Sequence, residues 1–251
     1  MKVLIIGATG NFGVRLVPAL LAHGHHVVAF VRSASKLESL LPDSLHCQIT
    51  VVGGSAKDSG AVKNAIIDHG CDAVVNTAGL SAVAPWAHTD LPVIFRSVVE
   101  AVREAGKERA APVRAWFLGG QGVLNFPGTK IMMSSYVPIF LEHRENYNLL
   151  RSLPSDSIEW SMFCPNTMVP ESASPTTTVQ SKLVASADVP PLWKDSWIKH
   201  IPLIGRTLVC AINAMRYRTT LEQSAEFIAA DLESHESPWV GRRVGTIKRS
   251  R

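Results

Sequence analysis

The stretch that most constrains the fold is VLIIGATGNFG, residues 3–13. A short β-branched run passes directly into three glycines, Gly7, Gly10 and Gly13, and then into an amphipathic segment. A strand, a glycine turn and a helix in that order form the phosphate-binding opening of a βαβ unit. Gly7 permits the tight turn, Gly10 removes the side chain that would keep a pyrophosphate off the backbone, and Gly13 is expected to let the helix pack against the sheet. Thr9, Asn11 and Phe12 complete the loop. Free amides and the dipole at the helix start are the groups that hold phosphate.

The rest of the first two-thirds repeats the same alternation. Strands are expected at Val3–Ile6, Val27–Val31, Cys47–Val52, Ala73–Asn76, Ala115–Leu118 and Ile158–Phe163. Helices are expected at Asn11–His23, near Ala61–His69, at about Leu91–Ala105 with Asp90 as N-cap, and at about Val137–Ser152. Such alternation predicts an α/β fold, a Rossmann-like doubly wound parallel sheet with right-handed crossovers. After Pro165 the periodicity fails, so residues 166–218 read as an irregular C-terminal lid on the substrate side. TTLEQSAEFIAADLE restores a helix, with Thr219 and Glu222 as its expected capping box. The expected organisation is one domain over 1–251: a core at 1–165, the lid, and a terminal helix and tail at 219–251.

Composition removes several alternatives. A 46% hydrophobic, 18% charged chain is globular, not disordered. The net charge of +4 is spread out except in GRRVGTIKRSR at the end, which reads as a solvated tail and not as a nucleic-acid site. Cys47, Cys71, Cys164 and Cys210 show neither disulfide nor metal spacing, and no metal is expected. No secretory segment and no membrane-spanning run is legible, so a cytoplasmic protein is expected. The oligomeric state is not legible.

The end of the second strand sets dinucleotide preference. Arg32, Ser33 and Lys36 follow Val31 with no carboxylate, which suits a 2′-phosphate and predicts NADP(H). Asn76, Thr77, Ala78 and Gly79 end the fourth strand, and Gly119, Gly120 and Gln121 end the fifth. Pro165 and Asn166 follow the sixth. All fall on the carboxyl edge of the sheet, where ligands of this architecture bind.

GATGNFG, FVRSASKL, NTAG and IEWSMFCPNTM together resemble the atypical short-chain dehydrogenase/reductases, above all the NmrA-like and biliverdin reductase B-like groups. The resemblance covers about residues 1–169 and resumes at Leu221–Gly245. It implies NADPH binding, in a family holding both reductases and redox-inactive sensors. The superfamily's serine and Tyr-x-x-x-Lys relay is missing: those positions fall on Gly119 or Gly120, Ile139 and His143. Biliverdin reductase B-like proteins carry a histidine at this helix position, which makes His143 the candidate proton donor or ribose ligand, with Tyr136 as the other donor. Two functions are compatible with these residues. One is an NADPH-dependent oxidoreductase acting on a flat, hydrophobic, conjugated small molecule, whose delocalised product needs little acid catalysis. The other is a redox-inactive sensor or non-redox isomerase. Trp193, Trp197, Ile198 and Ile201 are either pocket walls or packing.

Overall fold

The computed structural model describes residues 1–175 and 182–248. The chain runs β1 (Lys2–Ile6), α1 (Gly13–Ala22), β2 (His26–Val31), α2 (Ala34–Leu40), α3 (Asp43–His46), β3 (Ile49–Gly53), α4 (Ser59–Asp68), β4 (Ala73–Asn76) and α5 (Leu91–Glu108). It continues through β5 (Arg114–Leu118), α6 (Glu142–Ser152), β6 (Glu159–Phe163), β7 (Met168–Val169), β8 (Leu183–Ala187), α7 (Gly205–Ala214), β9 (Thr219–Thr220), α8 (Leu221–Glu233) and β10 (Arg242–Lys248). The main sheet has the order β3-β2-β1-β4-β5-β6-β10-β8. Every pairing in it is parallel except β8 on β10. This is the doubly wound, Rossmann-like α/β fold.

The strands read as unbroken apolar runs because both faces of the sheet are covered. In β1, Val3 and Ile5 enter a core layer with Leu16, Val17 and Leu20 of α1 and Ile228 of α8. Leu4 and Ile6 point the other way, into a layer with Ile66 of α4 and Phe95 and Val99 of α5. The period-2 alternation of a strand thus divides one run between two cores.

Several expectations change. The helix expected from Val137 begins at Glu142: Pro138 interrupts the approach, and Phe140 has a φ of 54°. Asp90 makes no capping bond; its carboxylate pairs with Lys57 at 2.7 Å, while the Thr89 hydroxyl accepts the Leu91 N–H. The capping box of α8 lies one residue later than expected, on Thr220 and Gln223. Thr219 is drawn into β9, where it pairs with Met168, and Glu222 is used elsewhere.

The segment 166–218 is more ordered than irregular: it contributes β8 to the sheet edge and the helix α7. Residues 176–181 of the expected loop lie outside the described residues. The basic end is not a solvated tail either, because β10 is a sheet strand whose Arg243 is buried. Arg243 donates to Asp188, Asn125 and the Val123 carbonyl and lies 4.3 Å from the Tyr147 ring centroid. Residues 249–251 lie outside the described residues.

Candidate dinucleotide site

The turn after β1 is shaped from two sides. Gly7 has a φ of +90°, and a Cβ there would stand 2.7 Å from the Ala78 nitrogen. Thr77 braces it, donating its hydroxyl to the Ile6 and Gly7 carbonyls at 3.0 and 3.2 Å. Asn76 Oδ1 accepts the Ala78 N–H at 3.1 Å, and Gly79 turns away with a φ of +99°. NTAG is therefore a clamp that fixes the glycine turn to the end of β4.

The other two glycines differ in what surrounds them. At Gly13 a Cβ would meet the Gly7 carbonyl oxygen at 2.2 Å, so the contact it permits is with the turn itself and not with the sheet. At Gly10 the one atom within reach is that same oxygen, at 3.3 Å. Gly10 and Asn11 are exposed and Thr9 is half-buried. Among the described residues no backbone carbonyl accepts from the Asn11, Phe12 or Gly13 amides. The Phe12 ring is buried, stacked 6.4 Å from Phe163, so only its backbone faces the turn.

Arg15, one turn into α1, is a feature with no local sequence signal. It is buried, with its Nε 2.7 Å from Glu222, and it donates to the carbonyls of Asn11 (3.0 Å) and Ser172 (2.7 Å). Burial opposes charge on Glu222, but the Glu171 N–H and the Arg15 guanidinium hold its pKa below the usual carboxylate value. This pair ties the glycine turn to α8 and to the chain after β7.

At the end of β2, Ser33 caps α2 by accepting the Lys36 N–H at 3.2 Å. Arg32 and Lys36 are exposed, and neither forms an ion pair among the described residues. Two cations and a helix start thus flank the glycine turn on the side of β2.

The strands beyond β4 bring the remaining candidates together. The Gly119 N–H donates to Phe163 and the Gln121 N–H to Pro165, at 2.7 and 2.8 Å. Asn166 Nδ2 reaches Gln121 Oε1 at 2.5 Å and the Ala214 carbonyl at 3.2 Å, linking the cleft to the end of α7. Gly119 is small because Met162 lies 2.9 Å from where its Cβ would be. Gly120 is small because His143 is packed against it, with Cδ2 at 2.9 Å. Burial pushes the His143 imidazole down to about 4, so the ring is neutral near neutral pH, and its Nδ1 is buried without a partner.

Tyr136 lies in a different setting. Its hydroxyl accepts from Arg206 Nη1 at 2.5 Å, and the guanidinium also lies over the Tyr136 and Phe126 rings. The two residues border a groove of about 370 Å³ that is completed by residues 199–203. Trp193 is packing, tilted between Phe126 and Tyr217, whereas Trp197 is 76% exposed. Glu142 is a further residue with no legible signal. Buried at the start of α6, it accepts the N–H groups of Ala82 and Thr89, both at 2.7 Å, and fixes the loop after β4 over the carboxyl edge.

A family model described as NAD(P)H-binding matches residues 7–190, and the chain belongs to that family. UDP-glucose 4-epimerase from Klebsiella pneumoniae is 27% identical over 117 residues, covering 45% of this chain and 84% of that protein. Solved structures that share the fold include two reductases. A short-chain dehydrogenase/reductase from Veillonella parvula, in complex with NADP, has a TM-score of 0.62 at 13% identity, over 98% of this chain and 93% of that one. An anaerobilin reductase from Escherichia coli O157:H7 has a TM-score of 0.61 at 16% identity, over 100% and 98%. The protein therefore carries a nicotinamide-dinucleotide-binding domain on a Rossmann-like fold.

Proposed function

We propose that this chain is an NADPH-dependent oxidoreductase that reduces a conjugated or aromatic small molecule of the enone, quinone, flavin or bilin type. The observation that carries the reading is a row of unpaired hydrogen-bonding groups along one sheet edge. The amides of Asn11–Gly13, the cations Arg32 and Lys36, and His143 Nδ1 have no partner among the described residues. A dinucleotide supplies acceptors of matching kind: pyrophosphate oxygens for the amides and a 2′-phosphate for the cations. Gly10 leaves the approach to the amides open.

When bound, the nicotinamide supplies hydride. The residues around it do the rest. Gln121 and Asn166, held on each other, are positioned to orient the carboxamide end. A neutral His143 donates one ring N–H and accepts at the other nitrogen, so it serves as a hydrogen-bonding group for ribose or substrate. Burial leaves it no spare proton to release near neutral pH. An acceptor that spreads its charge over a π-system tolerates that lack, with Tyr136 or solvent completing protonation. A flat molecule would enter beside the Tyr136–Arg206 groove.

The test is to mix purified protein with NADPH and a panel of quinones, flavins, enones and bilins, following absorbance at about 340 nm. Turnover of at least one acceptor class, with NADPH preferred over NADH, is the expected result. Tight NADPH binding with no turnover would instead assign a dinucleotide sensor or a non-redox isomerase. That second reading is favoured by one observation: glycine, isoleucine and histidine stand where the superfamily keeps its proton relay.

A further inference from the structure

Helix α7 is apolar on both sides. Its inner face buries Val209 and Cys210, as a surface helix does. Its outer face presents Ile204, Leu208, Ile212 and Met215, which are 56%, 41%, 56% and 88% exposed. At helical spacing these four lie within one narrow arc. Leu203 (101%) and Trp197 (76%) extend the patch at its N-terminal end. Such a continuous exposed apolar ridge marks a contact surface.

Charge says what kind. Residues 192–218 carry five Lys or Arg and a single acid, Asp195, while the rest of the chain has twenty of each sign. The net positive charge of the protein therefore resides in this segment. Lys199 pairs with Asp195. Lys194, Arg206, Arg216 and Arg218 have no carboxylate partner among the described residues; Arg206 and Arg216 donate to neutral oxygens. A two-fold contact with a second copy would bring two such net-positive segments together. An anionic surface that accepts apolar side chains has neither difficulty.

We infer that α7 and the turn before it dock the protein on the surface of an anionic lipid bilayer. Ile204, Leu208, Ile212 and Met215 enter the acyl boundary, Trp197 sits at headgroup level, and Lys194, Arg216 and Arg218, not the Tyr136-bound Arg206, supply the attraction to lipid phosphates. The protein lies on the bilayer without crossing it, as no helix among the described residues is long and apolar enough to span one. The inference does not rest on hydride transfer, since it concerns the outer face of α7, although Leu203 and Arg206 of the same segment also line the groove beside Tyr136.

The experiment is flotation of the full chain with phosphatidylcholine vesicles, with and without about 30 mol% phosphatidylglycerol, at low and physiological salt. Binding should be ~10-fold or more tighter on the anionic vesicles and should weaken with salt. Leu208→Glu with Ile212→Glu should abolish it while leaving the circular dichroism spectrum and Tm unchanged. Arg216→Gln with Arg218→Gln should remove much of the anionic preference without touching the apolar face. No vesicle binding, or equal binding to neutral vesicles, overturns the inference. So does a concentration-dependent dimer in sedimentation that the Leu208/Ile212 variant dissolves.

Discussion

Adding one methyl group at Gly10 and, separately, at Gly13 distinguishes a glycine kept for a ligand from one kept for the fold. The Gly13 Cβ would lie 2.2 Å from the Gly7 carbonyl oxygen, a backbone atom already bonded to the Gly10 N–H. That oxygen must move by about an ångström or the helix must retreat, and overpacking of this kind costs ~3 kcal/mol or more. The Gly10 Cβ meets the same oxygen at 3.3 Å, and Gly10 is not among the glycines of positive φ. There the small adjustment is offset by the ~0.4–1 kcal/mol gained from a stiffer unfolded chain, so stability should stay within ~1 kcal/mol of the parent. The same methyl occupies the approach to the Asn11–Gly13 amides. Losing two charge-assisted bonds at ~1.5–3 kcal/mol each weakens the dinucleotide roughly 10²- to 10⁴-fold. The assay is denaturant unfolding with and without NADPH, backed by calorimetry. Parent protein at ~1,000 times Kd should gain ~4 kcal/mol from the ligand, Gly10→Ala no more than ~1.4 kcal/mol, and Gly13→Ala should be unstable before any ligand is added. Gly10→Ala binding NADPH like the parent would refute the assignment of the turn as the pyrophosphate cradle.

Four further outcomes are expected. Arg32→Glu with Lys36→Glu should lower affinity for NADPH at least ~10-fold while barely changing that for NADH, measured by fluorescence titration; parallel losses would remove the 2′-phosphate assignment. Arg15→Met strands a buried Glu222 and should destabilise by ~3–5 kcal/mol, and adding Glu222→Leu should recover most of that in a double-mutant cycle; strict additivity would show that the two do not act as a pair. His143→Ala should cut turnover at least ~10-fold, and the pH–rate profile of the parent should carry no imidazole limb near 6.5, since the group titrates at about 4. For stability the sign follows from that lowered value: the unfolded chain takes up a proton near 6.5 that the fold refuses until about 4, so Tm should fall as pH drops through this window, and less steeply in His143→Leu.

How much of this was legible depends on the distance between the residues involved. The glycine turn, the strand–helix alternation and the cation-bearing end of β2 are local patterns, and each was readable because its partners lie within a few positions in sequence. NTAG was legible as a strand end but not as a clamp, because Thr77 acts on carbonyls some seventy residues earlier. His143 was identifiable through its helix position. Its burial against Gly120, which turns an acid–base candidate into a neutral hydrogen-bonding group, was not. The misplaced capping box has a similar origin: TTLEQ offers two registers, and the choice fell to Arg15, 207 residues away, which takes Glu222.

The sequence by itself determined the layered α/β architecture, the glycine turn and the pair of cations after β2. These arise from backbone geometry and from side-chain periodicity over a few residues. Tertiary structure alone decided that the basic C-terminal stretch is a buried strand, that Arg15 and Glu142 fasten the loops around the cleft, and that α7 faces outward with an apolar ridge. Burial, ion pairing and the direction in which a helix faces are set by elements far apart in the chain, and no local pattern carries that information.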